Sequence, residues 1–245
     1  MRQTELSDTD LSEEDEEIIE GMGVISNAFK QVAEKFDEIE LLTEEQAPHG
    51  LMEKARTISW LVEQIYVQNL AENPDEFGLE SVEYPDDDLI VYDLTIELLD
   101  HDTTYYANVK TGLTSSSSNK NDVSKSSKLA KFFHETKDDK STLLTIPVQV
   151  DFHGSRRAID LRGDLVEVHN LHWLNSDEAY VNPSNKNLQC KFDKPSEVRS
   201  KEEFLRLLLY AEKGMVDAVE ERSAKRKLIE QDELGFDYEQ YDELK

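Results

Sequence analysis

The stretch that most limits what this chain can become runs from Tyr84 to Gly112, YPDDDLIVYDLTIELLDHDTTYYANVKTG. β-Branched and aromatic residues fill two arms, Leu89 to Leu99 and Thr103 to Thr111, on either side of Asp100-His101-Asp102. Such a pattern predicts a β-hairpin with a polar tip. With the turn centred between His101 and Asp102, opposed residues carry numbers that sum to 203. Asp93 then faces Lys110, Thr95 faces Asn108, and Glu97 faces Tyr106. Strand alternation sends Leu94, Ile96, Leu98, Ala107 and Val109 to one face. The opposite face gathers Asp93, Thr95, Glu97, Asn108 and Lys110: acids, a carboxamide and an ammonium within cross-strand reach. That polar face is where chemistry is expected.

The net charge of −27 argues against a polyanion as partner, but its distribution weakens that argument. Residues 1–100 hold 28 acids and 5 bases, residues 101–200 hold 13 and 14, and residues 201–245 hold 13 and 8. The acid excess is therefore mainly N-terminal, and the middle of the chain is close to neutral. A solvating disordered tail and adaptation to high salt both account for such an excess. The single cysteine, Cys190, excludes a disulfide framework and a cysteine-based zinc site. No signal peptide and no run of about 18 apolar residues is present, so a soluble cytoplasmic protein is expected.

Residues 1–17 are acidic and are expected to be a disordered tail or a frayed helix start. The spacing of Ile25, Phe29, Val32 and Phe36 predicts an amphipathic helix over 18–42. A second helix is predicted over 51–70, with Ile58, Leu61, Val62 and Ile65 on its core face. Arg56, Trp60, Glu63 and Val67 form a stripe away from that face. Beyond the hairpin come a serine-rich run, a basic segment entering a short helix at 122–133, and strands at 143–152 and 166–173. Asn182-Pro183-Ser184-Asn185-Lys186-Asn187 is a turn cluster. Ser200-Lys201-Glu202-Glu203 fits a capping box that opens a helix reaching to about Glu230, followed by an acidic tail over 231–245. The expected fold is α/β over 18–230, with a mixed central β-sheet and flanking helices.

An acid on one strand, followed 10 to 20 residues later by acid-x-Lys on its partner, resembles the PD-(D/E)xK nuclease pattern; here Asp93 precedes Asn108-Val109-Lys110. The segment ANVKTGLTSSSSNKNDVSKSS is similar to the catalytic strand and the polar loop after it in some type II restriction endonucleases. NPSNKNLQCKF and RSKEEFLRLL resemble C-terminal motifs of the same group, so that the resemblance covers about residues 51–215. It implies a restriction-endonuclease-like fold and magnesium-dependent hydrolysis of double-stranded DNA. A homodimer and a cognate DNA methyltransferase in the same system are implied with it. On this resemblance Asp93 holds the metal and Lys110 serves the attacking water. Asn108 stands where the family has Asp or Glu; its carbonyl oxygen can ligate but brings no charge. Glu63 resembles the helical glutamate that several of these nucleases place near the metal, and Glu97 is a second candidate ligand.

Lys120, Lys125 and Lys128, with Lys131, are the expected phosphate contacts, and Gln189 is a further candidate DNA-binding residue. Arg156, Arg157, Arg162 and Asn185 have side chains that read base edges, with no spacing that ties them to bases. An ordinary cross-strand ion pair between Asp93 and Lys110 competes with the catalytic reading. At the level of the whole protein, the competing class is a non-catalytic acidic interaction protein: a DNA mimic or an adaptor that binds a basic partner through its N-terminal acids.

Overall fold

The computed structural model describes residues 11–36, 38–85, 90–116 and 121–234. Four helices are described: α1 (Glu13–Glu34), α2 (Ala55–Glu72), α3 (Ser126–Glu135) and α4 (Lys201–Leu234). The described strands are β1 (Ile39–Glu40), β2 (Ser81–Glu83), β3 (Leu94–Glu97), β4 (Thr104–Leu113), β5 (Asn121–Lys125), β6 (Ser141–His153), β7 (Ala158–Arg162), β8 (His169–Asn170), β9 (Tyr180–Val181) and β10 (Asn187–Cys190). They form a mixed central sheet in the order β1-β7-β6-β4-β3-β2, with β8 also on β6, and a small sheet β5-β10-β9. The chain is an α/β protein with helices flanking both faces of the central sheet.

The sheet is built on the parallel pair β4 and β6, in register from Thr104 opposite Ser141 to Leu113 opposite Val150. A parallel pair needs a crossover connection, and β5 with α3 supplies it. Every residue of β6 from Ser141 to Val148 is buried, and alternation begins only at Gln149. That is the pattern of a strand covered on both faces. On one side, Ile25, Phe29 and Val32 of α1 and Ile58, Val62 and Tyr66 of α2 pack on Leu94, Ile96, Tyr105, Ala107 and Val109. On the other, Leu129 and Phe133 of α3 and Phe204 and Leu208 of α4 pack with Val123, Leu143 and Leu188.

The acidic N-terminal segment is helical from Glu13. Ser12 and Asp15 cap α1 reciprocally, and Glu13, Glu14, Asp15 and Glu16 lie in its first turn, where the helix dipole favours negative charge. The helix ends at Glu34 rather than at Leu42, and β1 follows. α1 also grips the hairpin. Glu17 accepts hydrogen bonds from the Asp102 and Thr103 backbone amides at 2.8 and 2.9 Å, and the Tyr105 hydroxyl donates to the Glu17 carbonyl at 3.1 Å. α2 starts at Ala55, not Leu51, because Leu51 bonds instead to the Gly154 carbonyl at 2.8 Å.

The hairpin forms, in a different register from the predicted one. Leu94 pairs with Ala107, Thr95 with Tyr106 and Ile96 with Tyr105, a sum of 201. The turn is centred one residue earlier, with Asp100 in the left-handed region at φ 63. A two-residue slip preserves both faces, because side chains alternate with period two. The strand expected over 166–173 shrinks to β8 between two 3₁₀ turns. β7, absent from the predicted elements, takes the same edge of β6 from Gln149 to His153, and β8 takes it at Leu144 and Thr145. Between them stands Pro147, which has no N–H to offer a ladder. The capping box at Ser200 forms: its backbone and hydroxyl donate to Glu203 at 2.9 and 3.0 Å.

Candidate active site

β3 begins at Leu94 while β4 continues to Leu113, so β4 loses its β3 neighbour beyond Ala107. The Val109 N–H on that side needs another acceptor. Asp93 provides it, with Oδ2 at 2.7 Å, while its own N–H donates to the Ala107 carbonyl at 2.8 Å. One carboxylate oxygen of Asp93 is thereby fixed by the backbone. In the observed register Asp93 lies level with Asn108, not with Lys110.

Asn108 is 4% exposed. Its amide nitrogen donates to the Val91 carbonyl at 2.5 Å and is 3.4 Å from the Val123 carbonyl. Those two acceptors orient the carboxamide and leave Oδ1 buried without a partner. A buried carbonyl oxygen without a donor is costly, and it is suited to a hard cation.

Glu63 lies on α2, one turn beyond Ser59, whose carbonyl is 3.4 Å from the Thr111 hydroxyl of β4. That contact brings the end of β4 that lacks a β3 neighbour alongside the helix. Burial pushes the Glu63 carboxyl up to about 7; the charge of Lys110 opposes this and the charge of Asp93 adds to it. Asp93 is raised too, by burial, against the lowering effects of Lys110 and of its bond from Val109. Each carboxylate therefore feels the same lysine. Lys110 takes part in no ion pair among the described residues, so the ordinary Asp93–Lys110 salt bridge is not formed. Two desolvated acids within reach of one ammonium leave the site short of positive charge.

The structure thus puts Glu63 and Asp93 within electrostatic reach of Lys110, holds Asn108 level with Asp93 on the neighbouring strand, and sets Glu97 apart. Glu97 accepts from the Thr104 hydroxyl at 3.0 Å, toward the hairpin tip. The α2 stripe divides: Trp60 is 71% exposed, Glu63 is half-buried and Val67 is in the core. Gln189 donates to Asp122 at 2.5 Å on the small sheet. Lys125 is exposed where β5 meets α3, and Lys128 lies half-buried on α3. Lys120 lies outside the described residues. Arg156 and Arg162 are committed to Glu38 and to Asp151 with Asp164, and Arg157 donates to the Ala47 carbonyl. The Val91 and Val123 carbonyls that hold Asn108 carried no sequence signal, since any residue offers a backbone carbonyl.

A second group of potential ligands, Glu38, His153 and Asp160, sits at the other end of β6. His153 lies eight residues along the strand from Thr145, the neighbour of Asn108, or ~26 Å. Its members are already matched: His153 with Asp160 at 2.8 Å and Glu38 with Arg156 at 2.8 Å.

No protein-family model matches this chain, and no curated protein is significantly similar to it.

Proposed function

We propose that the chain is a divalent-metal-dependent endonuclease acting on double-stranded DNA, of the type II restriction kind. One observation carries the reading: two desolvated carboxylates, Glu63 and Asp93, both feel the single ammonium of Lys110, and Asn108, level with Asp93 on the next strand, keeps a buried Oδ1 without a partner. Oxygen donors of this kind, in a site lacking positive charge, suit magnesium. Asp93, Asn108 and Glu63 would hold it, and when bound it would polarise the phosphate and acidify a water. Lys110 orients that water and offsets charge on the phosphoryl oxygens. Hydrolysis adds water to phosphorus, breaks the bridging P–O bond and returns a proton to the leaving sugar oxygen. Asp93 is positioned by the backbone of β4, so the rigid sheet sets its geometry. Two such chains related by a two-fold axis would cut both strands of a palindromic target, and a methyltransferase protecting that target belongs to the same proposal.

Plasmid cleavage with magnesium, comparing the wild type with Asp93→Ala and Lys110→Ala, tests the reading. Cleavage by the wild type alone is expected. Cleavage that survives both substitutions, or a wild type that leaves every plasmid intact, would sink it.

A further inference from the structure

A cavity of about 770 Å³ opens between the start of α3, the β9–β10 turn and α4. Lys125, Lys186 and Lys213 reach it from three separate segments of the chain. All three are exposed, and none belongs to an ion pair among the described residues. In a chain with 54 acids and 27 bases, three converging lysines would be expected to attract carboxylates. Glu212 is the one acid in the lining, and it accepts from the Ser126 hydroxyl instead. The remaining polar lining is neutral: Ser127, Ser184, whose hydroxyl donates to Asn182 at 2.7 Å, and Asn185, whose amide donates to Asp122 at 3.4 Å.

Backbone contacts set Lys186 next to Lys125. Lys186 is in the left-handed region at φ 61, its N–H bonded to the Asn182 carbonyl at 2.8 Å. Its own carbonyl accepts from the Ser126 amide at 3.0 Å. The β9–β10 turn is thereby fastened to the start of α3, and Lys186 is set beside Lys125. Like charges gathered this way repel unless an anion lies between them.

We propose that this cavity binds a phosphate group. The polynucleotide backbone is the favoured source, because β5 joins the cavity to the candidate active site. The carbonyl of Val123 lies 3.4 Å from the Asn108 amide, and Lys125 is two residues farther along the strand, ~7 Å. This choice of source rests on the nuclease reading; the phosphate site itself does not.

The test compares the full chain with Lys125→Gln/Lys186→Gln/Lys213→Gln. A control, Lys54→Gln/Lys137→Gln/Lys225→Gln, changes net charge equally at exposed positions elsewhere. Binding of a fluorescent 20-base-pair duplex is followed by anisotropy in EDTA, so that no cleavage intervenes, across about 50 to 200 mM salt. Each phosphate contact contributes about 0.9 to the slope of log affinity against log salt, so the triple variant should lose about 2.7 and the control much less. Calorimetric titration with pyrophosphate should lose its signal in the same variant. Pyrophosphate binding that depends on the three lysines, with an unchanged DNA slope, would keep the phosphate site and assign it to a free phosphate compound. A triple variant that binds both probes like the wild type, or a wild type that binds neither, overturns the proposal. Binding without magnesium-dependent plasmid cleavage would instead count against the nuclease reading alone.

Discussion

The charge deficit around Glu63 makes a quantitative prediction for Glu63→Gln. Raising a carboxyl from 4.5 to about 7 corresponds to ~3.4 kcal/mol, at about 1.4 kcal/mol for each pH unit. Glu63 is only half-buried, and solvent screening reduces that to roughly 1–2 kcal/mol. The sign follows from which state ionises first. Below pH 4.5 the group is protonated in folded and unfolded chains alike and costs nothing. As pH rises toward 7 the unfolded chain ionises readily and the folded chain lags, so stability falls across that window. Asp93, also raised, acts in the same direction. Glu63→Gln should therefore match the wild type near pH 4.5 and exceed it at pH 8 in EDTA. At about 2–4 °C per kcal/mol for a chain of this size, the gain in Tm is roughly 2–8 °C. Adding 10 mM magnesium should close most of that gap: a site with a Kd of about 1 mM gains ~1.4 kcal/mol. The wild type should take most of that gain and the variant little of it. Differential scanning fluorimetry from pH 4.5 to 9, with and without magnesium, reads both effects. A variant no more stable than the wild type at pH 8 in EDTA, with an equal magnesium shift in both proteins, would refute the reasoning.

Asp93→Asn keeps an acceptor for the Val109 amide while removing the charge, so urea unfolding should move by less than about 1 kcal/mol while cleavage is lost; Asp93→Ala should cost a further ~1–3 kcal/mol. His172 is buried against Phe133 and Trp173, and burial lowers it to about 3, helped by Lys201 and Arg199. Its folded value lies below the ordinary 6.5, so stability present above 6.5 is lost as pH falls. His172→Gln should thus flatten the acid limb of a stability–pH curve measured by circular dichroism. Gly21→Ala would drive a methyl group into the Tyr105 hydroxyl, costing about 1–3 kcal/mol in chemical denaturation. Combining it with Tyr105→Phe should recover part of that loss, and strictly additive effects would show that the two positions do not meet.

What could be read from the sequence, and what could not, divides along the range of the interactions involved. The two faces of the hairpin were legible because alternation is local and survives a two-residue slip. Its register was not, because it turns on whether Asp100 enters the left-handed region, and α1 helps decide that through Glu17. Helical periodicity grouped Trp60, Glu63 and Val67 as one outward stripe. In the fold that stripe winds from solvent at Trp60 to the core at Val67, and Glu63 falls on the boundary. A carboxylate there is desolvated without being sealed in, which spacing alone does not reveal. Lys186 and Lys213 stand far along the chain from Lys125, so only the tertiary structure joins them.

Asn108 is the residue whose meaning changes most between sequence and structure. In the sequence it is a carboxamide where the nuclease pattern has an acid, and so a deficiency. In the structure its amide nitrogen faces the backbone carbonyls of Val91 and Val123. An aspartate in that place would set a carboxylate against two carbonyl lone pairs in a buried site, adding repulsion to desolvation. The carboxamide meets both requirements, donating on one side and leaving Oδ1 free on the other. Negative charge for a cation must then come from elsewhere, and Glu63 is the half-buried carboxylate whose raised pKa already registers both Asp93 and Lys110. Asn108→Asp separates the two accounts: a mere deficiency would be repaired by the acid, whereas this shell should make the variant less stable in EDTA by about 2 kcal/mol or more.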